Sequence, residues 1–195
     1  MEVNFYGYIR VMQSFLPMLR ESASRPGARR GRLAFFGTGG GPCSPCPSNL
    51  SAYMASKFAI EVVYQSTRLE LQPTDQPVDC CMVNTGFIKP TNLMAGGIEL
   101  TKRMWEECER EQGDDRAKRE YVDLLDTFIR YSEDQPGTHV SVVAETAVRL
   151  MADFRPLSSY KVGPDSKAAP FCGMLPTGVR EFVVKKSMFS KTGSV

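Results

Sequence analysis

Apolar residues recur at intervals of three and four along two long stretches of the chain. Over residues 3–20 this spacing predicts an amphipathic helix, and we expect Pro17 to loosen its last turn. Over residues 50–72 the same spacing predicts a second helix, which Pro73 ends. One face of the second helix carries Ala55, Phe58, Ala59, Val62, Ser66 and Leu69.

Short apolar runs between turn-forming residues predict three strands, at 32–37, 78–84 and 158–163. Further helices are predicted at 97–112, 115–131, 141–154 (with Ser141 as N-cap) and 175–186. Alternating helices and strands indicate the α/β class, with a parallel sheet and helices on its faces. Because the average sheet has ~5–6 strands, we expect the chain to form part of an α/β domain.

Tyr53 and Lys57 stand four residues apart in the second predicted helix, so their side chains share one face. A free phenol and a free ammonium are both poor bases at neutral pH. A cation close to the phenol favours the phenolate, which would lower the tyrosine pKa and allow proton exchange with an alcohol or an alkoxide. Taken alone, the same spacing also fits an ordinary pair on a helix surface.

Two loops add weight to the catalytic interpretation. The first predicted strand runs into Thr38, and the second runs into the segment 84–88 (NTGFI). Ligands of parallel α/β sheets bind outside the carboxyl ends of the strands. We therefore expect Thr38, the 84–91 loop and the Tyr53/Lys57 helix to meet at one crevice.

These segments resemble the short-chain dehydrogenase/reductase family. The resemblance rests on GRLAFFGTGG, SAYMASKFAIEVVYQSTRLEL and VDCCMVNTGFIKPT, and it extends from about Val3 to Val184. It implies an α/β fold, namely a partial, Rossmann-like, doubly wound parallel sheet truncated at its N-terminus. Residues 1–195 would then form a single domain, with a helical substrate lid at 92–135.

The resemblance also implies roles for individual residues. Tyr53 would be the general acid/base, and Lys57 would hold the nicotinamide ribose of NAD or NADP while lowering the tyrosine pKa. Asn4 matches an asparagine that orders a water behind the lysine. Thr38 would polarise the substrate carbonyl, although serine is usual there and the loop to Tyr53 is longer than usual; Ser51 is the alternative donor. Contacts to the cofactor are expected from Tyr53, Lys57, Gly86, Ile88 and Thr91.

The C-terminal part resembles the retinol, steroid and 3-hydroxybutyrate dehydrogenases of this family. The implied substrate is a small hydrophobic alcohol or ketone. The wall of the substrate site would include Thr38 and four residues of the lid, namely Leu93, Met94, Met104 and Trp105. Ordinary helix packing explains these four lid residues equally well. Family members commonly dimerise through the helices that correspond to 3–20 and 50–72, so we expect a homodimer.

The family's glycine-rich dinucleotide turn is missing before Asn4. Residues 37–41 are glycine-rich but lead into Pro42 rather than into a helix, which argues against a phosphate cradle. The alternative function is therefore a catalytically incompetent truncated member or binding remnant, and Met1 would be an internal methionine of a longer reading frame. The edge of the strand at 32–37 would be open, which predicts marginal stability or self-association.

Composition narrows the function classes. The formal charge of +2 and the lack of a basic stripe argue against nucleic acid, while Lys185, Lys186 and Lys191 leave a membrane-surface contact open. A single histidine argues against a Ser-His-Asp hydrolase, and one C-x-x-C without a second ligand pair argues against a metal site. Without a signal peptide or a membrane-length apolar run, we expect a cytoplasmic protein; the endoplasmic reticulum surface and the mitochondrion remain alternatives.

Overall fold

The fold is taken from a computed structural model. It describes residues 1–39, 41, 46, 50–71, 77–113 and 115–189. The Cys43-to-Cys46 motif falls mostly outside the described residues. A π-helical turn at Glu2–Tyr6 precedes the helices α1 (Gly7–Ala23), α2 (Ser51–Leu71), α3 (Leu93–Gln112), α4 (Arg116–Asp134), α5 (Val140–Ala152), α6 (Pro164–Gly173) and α7 (Thr177–Phe189). The strands are β1 (Gly31–Thr38), β2 (Val78–Thr85), β3 (Ile88–Lys89), β4 (Thr138–His139) and β5 (Ser159–Val162).

The main sheet is parallel and has the order β1-β2-β5. The register pairs Gly31 with Val78 and Thr38 with Thr85, so β1 and β2 end side by side. This architecture confirms the predicted α/β class and all three predicted strands. Among the described residues, no strand pairs with the far edge of β1.

Alternation along β2 divides the core between the two faces of the sheet. On one face, Cys80 and Met82 pack with Ile60 and Tyr64 of α2, and α1 covers this cluster with partly buried residues such as Tyr8. On the other face, Cys81 and Val83 of β2 pack against Leu150 of α5. A near-continuous apolar strand is what burial on both faces requires.

Two local expectations are wrong. α2 turns a different side to the sheet, because Val62 and Leu69 are exposed whereas Ile60 is completely buried. The helix has apolar residues on both sides, and periodicity alone does not identify which side packs. The N-cap of α5 is His139, whose ring accepts from the backbone N–H of Ser141.

α6 and the β3–β4 pair were not predicted from the sequence. Pro164 begins α6 directly after Gly163, whose φ of 98° lies in the left-handed region that suits glycine. β3 joins β4 in parallel through Ile88 and Thr138, and so connects the loop after β2 to the start of α5. Two-residue strands are too short for an alternation pattern to reveal.

Within the described ranges, no helix is long and apolar enough to cross a membrane. The same part of the chain contains no group of His, Cys, Asp and Glu that could hold a metal ion. Cys80 and Cys81 of β2 are both buried, and they belong to the clusters on opposite faces of the sheet.

Candidate active site

The carboxyl ends of β1 and β2 form the floor of the site. The backbone N–H of Gly39 donates to the carbonyl of Thr85 at 2.7 Å, which extends the pairing one residue beyond the strands. α2 starts at Ser51, so Tyr53 lies in its first turn and Lys57 one turn later. The fold therefore places Thr38 and the Tyr53/Lys57 pair at the same end of the sheet.

Tyr53 and Thr38 are joined by a hydrogen bond between their side chains. Burial raises the pKa of Tyr53, and the bond from Thr38 offsets part of this effect. The hydroxyl of Thr38 therefore lies beside that of Tyr53. The alternative donor, Ser51, is exposed at the first residue of α2.

Lys57 donates through its Nζ to the carbonyl oxygen of Phe36 at 3.1 Å. The same nitrogen stands 6.0 Å from the ring centroid of Tyr53 and 6.0 Å from that of Tyr8. Burial lowers the pKa of Lys57, because a desolvated ammonium is disfavoured. The predicted lowering of the Tyr53 pKa by Lys57 is wrong for the site as it stands, since burial raises that pKa and Lys57 is not among the causes of its shift.

Asn4 lies in the π-helical turn that precedes α1. Its Nδ2 donates to the hydroxyl of Ser56 at 3.1 Å, and that hydroxyl donates to the carbonyl of Tyr53 at 2.6 Å. The amide of Asn4 is thus held against the first turns of α2 through a buried serine. The sequence motif identifies Asn4, but Ser56 as its partner could not be read from the pattern.

The loop after β2 is held in place by α6. Asp165 accepts the backbone N–H of Phe87 at 2.5 Å, and a Cβ at Gly86 would overlap this carboxylate. The hydroxyl of the completely buried Ser166 lies 2.7 Å from the carbonyl oxygen of Asn84 and 2.9 Å from that of Gly39, so it donates to one or the other. Sequence reasoning missed both α6 residues, because α6 was not predicted.

Ile88 and Thr91, predicted to contact the cofactor, lie on the chain segment that leaves this loop. Ile88 is half-buried in β3, and Thr91 is exposed with its hydroxyl 3.5 Å from the carbonyl of Ile88. Lys89 between them donates to the carbonyls of Glu133 and Gln135 at the end of α4. The segment is therefore tied to the helical region that follows it.

The predicted lid residues all belong to α3. Leu93 and Met104 are exposed, whereas Met94 and Trp105 are half-buried. α3 packs on α4, which contributes the buried residues Leu125 and Phe128. These positions suit either a substrate wall or plain helix packing, as the sequence also left open.

The donor set fits the nicotinamide and ribose end of a dinucleotide. It offers one ammonium and two hydroxyls at the carboxyl edge of a parallel sheet, where such ligands bind. Gly86 keeps the neighbouring loop free of a side chain. Within the described residues, no glycine-rich turn leads from a strand into a helix in the way that pyrophosphate binding requires.

Comparison with known proteins gives a family match over the first half of the chain. Residues 1–99 match the family described as short chain dehydrogenase. The human 17-beta-hydroxysteroid dehydrogenase type 6 is 25% identical over 194 residues, which cover 96% of this chain and 56% of that protein. The mitochondrial D-beta-hydroxybutyrate dehydrogenase of Bos taurus is 31% identical over 82% of this chain and 44% of its own length.

A solved structure supports the fold. A short-chain dehydrogenase from Streptomyces avermitilis superposes with a TM-score of 0.53 at 14% identity, over 100% of this chain and 61% of that one. At this identity the likeness concerns the fold alone. The chain spans about half the length of the curated relatives it matches.

Proposed function

The chain belongs to the short-chain dehydrogenase family, and from that premise we propose that it carries the catalytic half of an NAD- or NADP-dependent oxidoreductase. The reaction would interconvert a hydrophobic alcohol and its carbonyl compound. The observation that carries the proposal is the hydrogen bond between Tyr53 and Thr38 at the carboxyl ends of β1 and β2, with Lys57 one helical turn away.

The hydroxyls of Thr38 and Tyr53 have different roles at the substrate oxygen. Thr38 donates a hydrogen bond that polarises a substrate carbonyl, and Tyr53 delivers the proton as negative charge develops on the oxygen. A nicotinamide cofactor bound here would supply or accept the hydride. Lys57 would hold its ribose and would place an ammonium 6.0 Å from the ring centroid of Tyr53.

The raised pKa of Tyr53 determines its protonation state before the reaction. Because burial raises that pKa above its ordinary value, the phenol is protonated at neutral pH. A protonated phenol acts as an acid, which suits the reduction of a carbonyl compound. Oxidation of an alcohol requires the phenolate, and a second cationic or hydrogen-bonding group would have to lower the pKa first.

The substrate class rests on the apolar character of α3. Met94 and Trp105 are half-buried and Leu93 is exposed, so this helix offers apolar surface next to the loop that leaves β2. The relatives include a 17-beta-hydroxysteroid dehydrogenase and a D-beta-hydroxybutyrate dehydrogenase. Steroids, retinoids and hydroxy acids are therefore the substrates to test first.

A homodimer through α1 and α2 is part of the proposal. Val11 and Phe15 of α1 and Val62 and Leu69 of α2 are all more than half exposed. Apolar surface of this kind marks interaction sites. Replacing Phe15 and Val62 together by glutamate should yield monomers in light scattering, whereas Val148→Glu, on the exposed side of α5, should leave the dimer intact.

The catalytic claim is tested by following nicotinamide absorbance with steroid, retinoid and hydroxy-acid substrates. Tyr53→Phe keeps the ring but removes the proton donor, so turnover should fall by about 10²–10⁴-fold. Tyr6→Phe removes the hydroxyl of an exposed tyrosine and should change nothing. Equal turnover in the wild-type and Tyr53→Phe proteins, or none in either, would favour the alternative of a non-catalytic binding remnant.

A further inference from the structure

The ammonium of Lys57 is surrounded by groups from three elements. It shares its acceptor, the carbonyl of Phe36 in β1, with the hydroxyl of Tyr8 in α1, which donates at 3.3 Å. It stands 6.0 Å from the ring centroids of Tyr8 and Tyr53, the distance at which a cation is attracted to an aromatic face. None of the roles assigned above uses Tyr8.

The Phe36 carbonyl is available because of its place in the sheet. Gly31 and Gly39 donate their backbone N–H groups to the chain of β2. Backbone groups alternate in direction along a strand, so the carbonyl of Phe36 points to the opposite edge of β1. None of the described residues forms a strand at that edge. Lys57 and Tyr8 therefore satisfy an acceptor that no strand among the described residues reaches.

Tyr8 is held firmly by the core beneath it. Its ring stacks on Phe35 at 6.1 Å with an interplanar angle of 13°, and it packs against the cluster that includes Ile60. Burial raises the pKa of Tyr8, and the neighbouring Tyr53 raises it further. Tyr8 is thus uncharged at neutral pH and forms a fixed aromatic wall beside the lysine.

We propose that Tyr8 is a positioning residue for Lys57, which keeps the lysine ammonium on the Phe36 carbonyl between the Tyr8 and Tyr53 rings. A lysine side chain has four rotatable bonds and otherwise samples solvent. Tyr8 limits it to the neighbourhood of Tyr53 before any ligand binds. The importance of this restraint for catalysis rests on the proposed function; the restraint itself does not.

The experiment observes the lysine directly in the full chain. Protein labelled with ¹³C at the lysine ε-carbons is studied by NMR at neutral pH, and the Lys57 signal is assigned by its loss in Lys57→Arg. In the wild type, Lys57 should be more ordered than the exposed Lys102 of α3 and displaced by ring currents. Tyr8→Leu should remove both signatures, and Tyr8→Phe, which keeps the ring, should retain them. Tyr6→Leu, two residues away and exposed, is the matched control.

Two results would overturn the proposal. One is a wild-type Lys57 as mobile as Lys102, which decides the matter even if Tyr8→Leu does not fold. The other is a folded Tyr8→Leu protein in which the Lys57 signal is unchanged. Because the measurement needs neither nucleotide nor substrate, its failure is distinct from a failure of the proposed function. If the affinity for NADH falls in Tyr8→Leu but not in Tyr6→Leu, the restraint on Lys57 contributes to cofactor binding.

Discussion

α2 and α3 are both long amphipathic helices, but they differ in how much of their surface is buried in the core. α2 has seven buried residues, including Ile60 and Glu61. No residue from Leu93 to Glu111 of α3 is fully buried. The proposed catalytic residues Tyr53 and Lys57 therefore lie on the helix with more buried residues, and the expected substrate surface lies on the helix with fewer.

This difference explains how the candidate site is held. The Tyr53 hydroxyl and the Lys57 ammonium are held at the end of β1, by Thr38 and by the Phe36 carbonyl. Within α2, Ser56 bonds the backbone carbonyl of Tyr53. α3 is held mainly by its contact with α4. Regions with few buried apolar contacts open at low free energy, which suits a surface that must admit a ligand.

Truncating a buried side chain of α2 and an exposed side chain of α3 should give the largest difference in the free energy of unfolding. Ile60→Ala empties a completely buried position and should lower the free energy of unfolding by about 2–5 kcal/mol. Leu100→Ala in α3 removes an exposed side chain and should change it by less than about 0.5 kcal/mol. Chemical denaturation followed by circular dichroism measures both. Equal losses would contradict the difference in constraint.

Glycine-to-alanine substitutions should show the same contrast with opposite signs. A Cβ at Gly37 would overlap the amide oxygen of the buried Asn84, so Gly37→Ala should destabilise by about 1–3 kcal/mol. Gly96 in α3 has open space around it, and alanine there should stabilise the helix by about 0.5–1 kcal/mol. Thermal melts of both variants test the pair. A tolerated Gly37→Ala would mean that the end of β1 is less tightly packed than described.

The serine beneath Tyr53 allows a finer test within α2. Ser56→Ala removes the acceptor of Asn4 and the donor to the Tyr53 carbonyl, at an expected cost of about 1–3 kcal/mol because a buried polar partner loses its bond. Ser66→Ala, on the exposed side of the same helix, should cost close to nothing. If the two substitutions had equal effects on stability, the buried bond would not hold the first turns of α2.

Alkaline titration tests the burial of a single thiol in β2. Burial raises the pKa of Cys80 to about 12 from an ordinary 9.0, so the unfolded chain loses this proton first as the pH rises. The contribution of Cys80 is therefore fully present below pH 9 and is lost progressively as the pH rises toward 12. Cys80→Ala should flatten the decline of unfolding free energy in this range, and Ser66→Ala on the exposed side of α2 should leave it unchanged. An identical slope in all three proteins would contradict the burial of the thiol.

Parts of this picture follow from the sequence for clear physical reasons. The strands β1 and β2 were predictable because burial on both faces requires an unbroken apolar run, and Tyr53 and Lys57 because a motif with fixed spacing identifies them. α6 was not, since its ten residues include two prolines and little periodicity. The partners Ser56 and Ser166 depend on tertiary contacts that no local pattern records.

Nucleotide binding tests the central claim most directly, namely that the Tyr53/Lys57 site holds a nicotinamide cofactor. The purified chain is titrated with NADH and with NADPH while nicotinamide fluorescence is followed, using Lys57→Ala, Tyr53→Phe and, as the control, Lys102→Ala. The account predicts saturable binding of at least one nucleotide, weakened by Lys57→Ala and unchanged by Lys102→Ala. No binding of either nucleotide at high concentration, or equal binding by the wild-type and Lys57→Ala proteins, would contradict it.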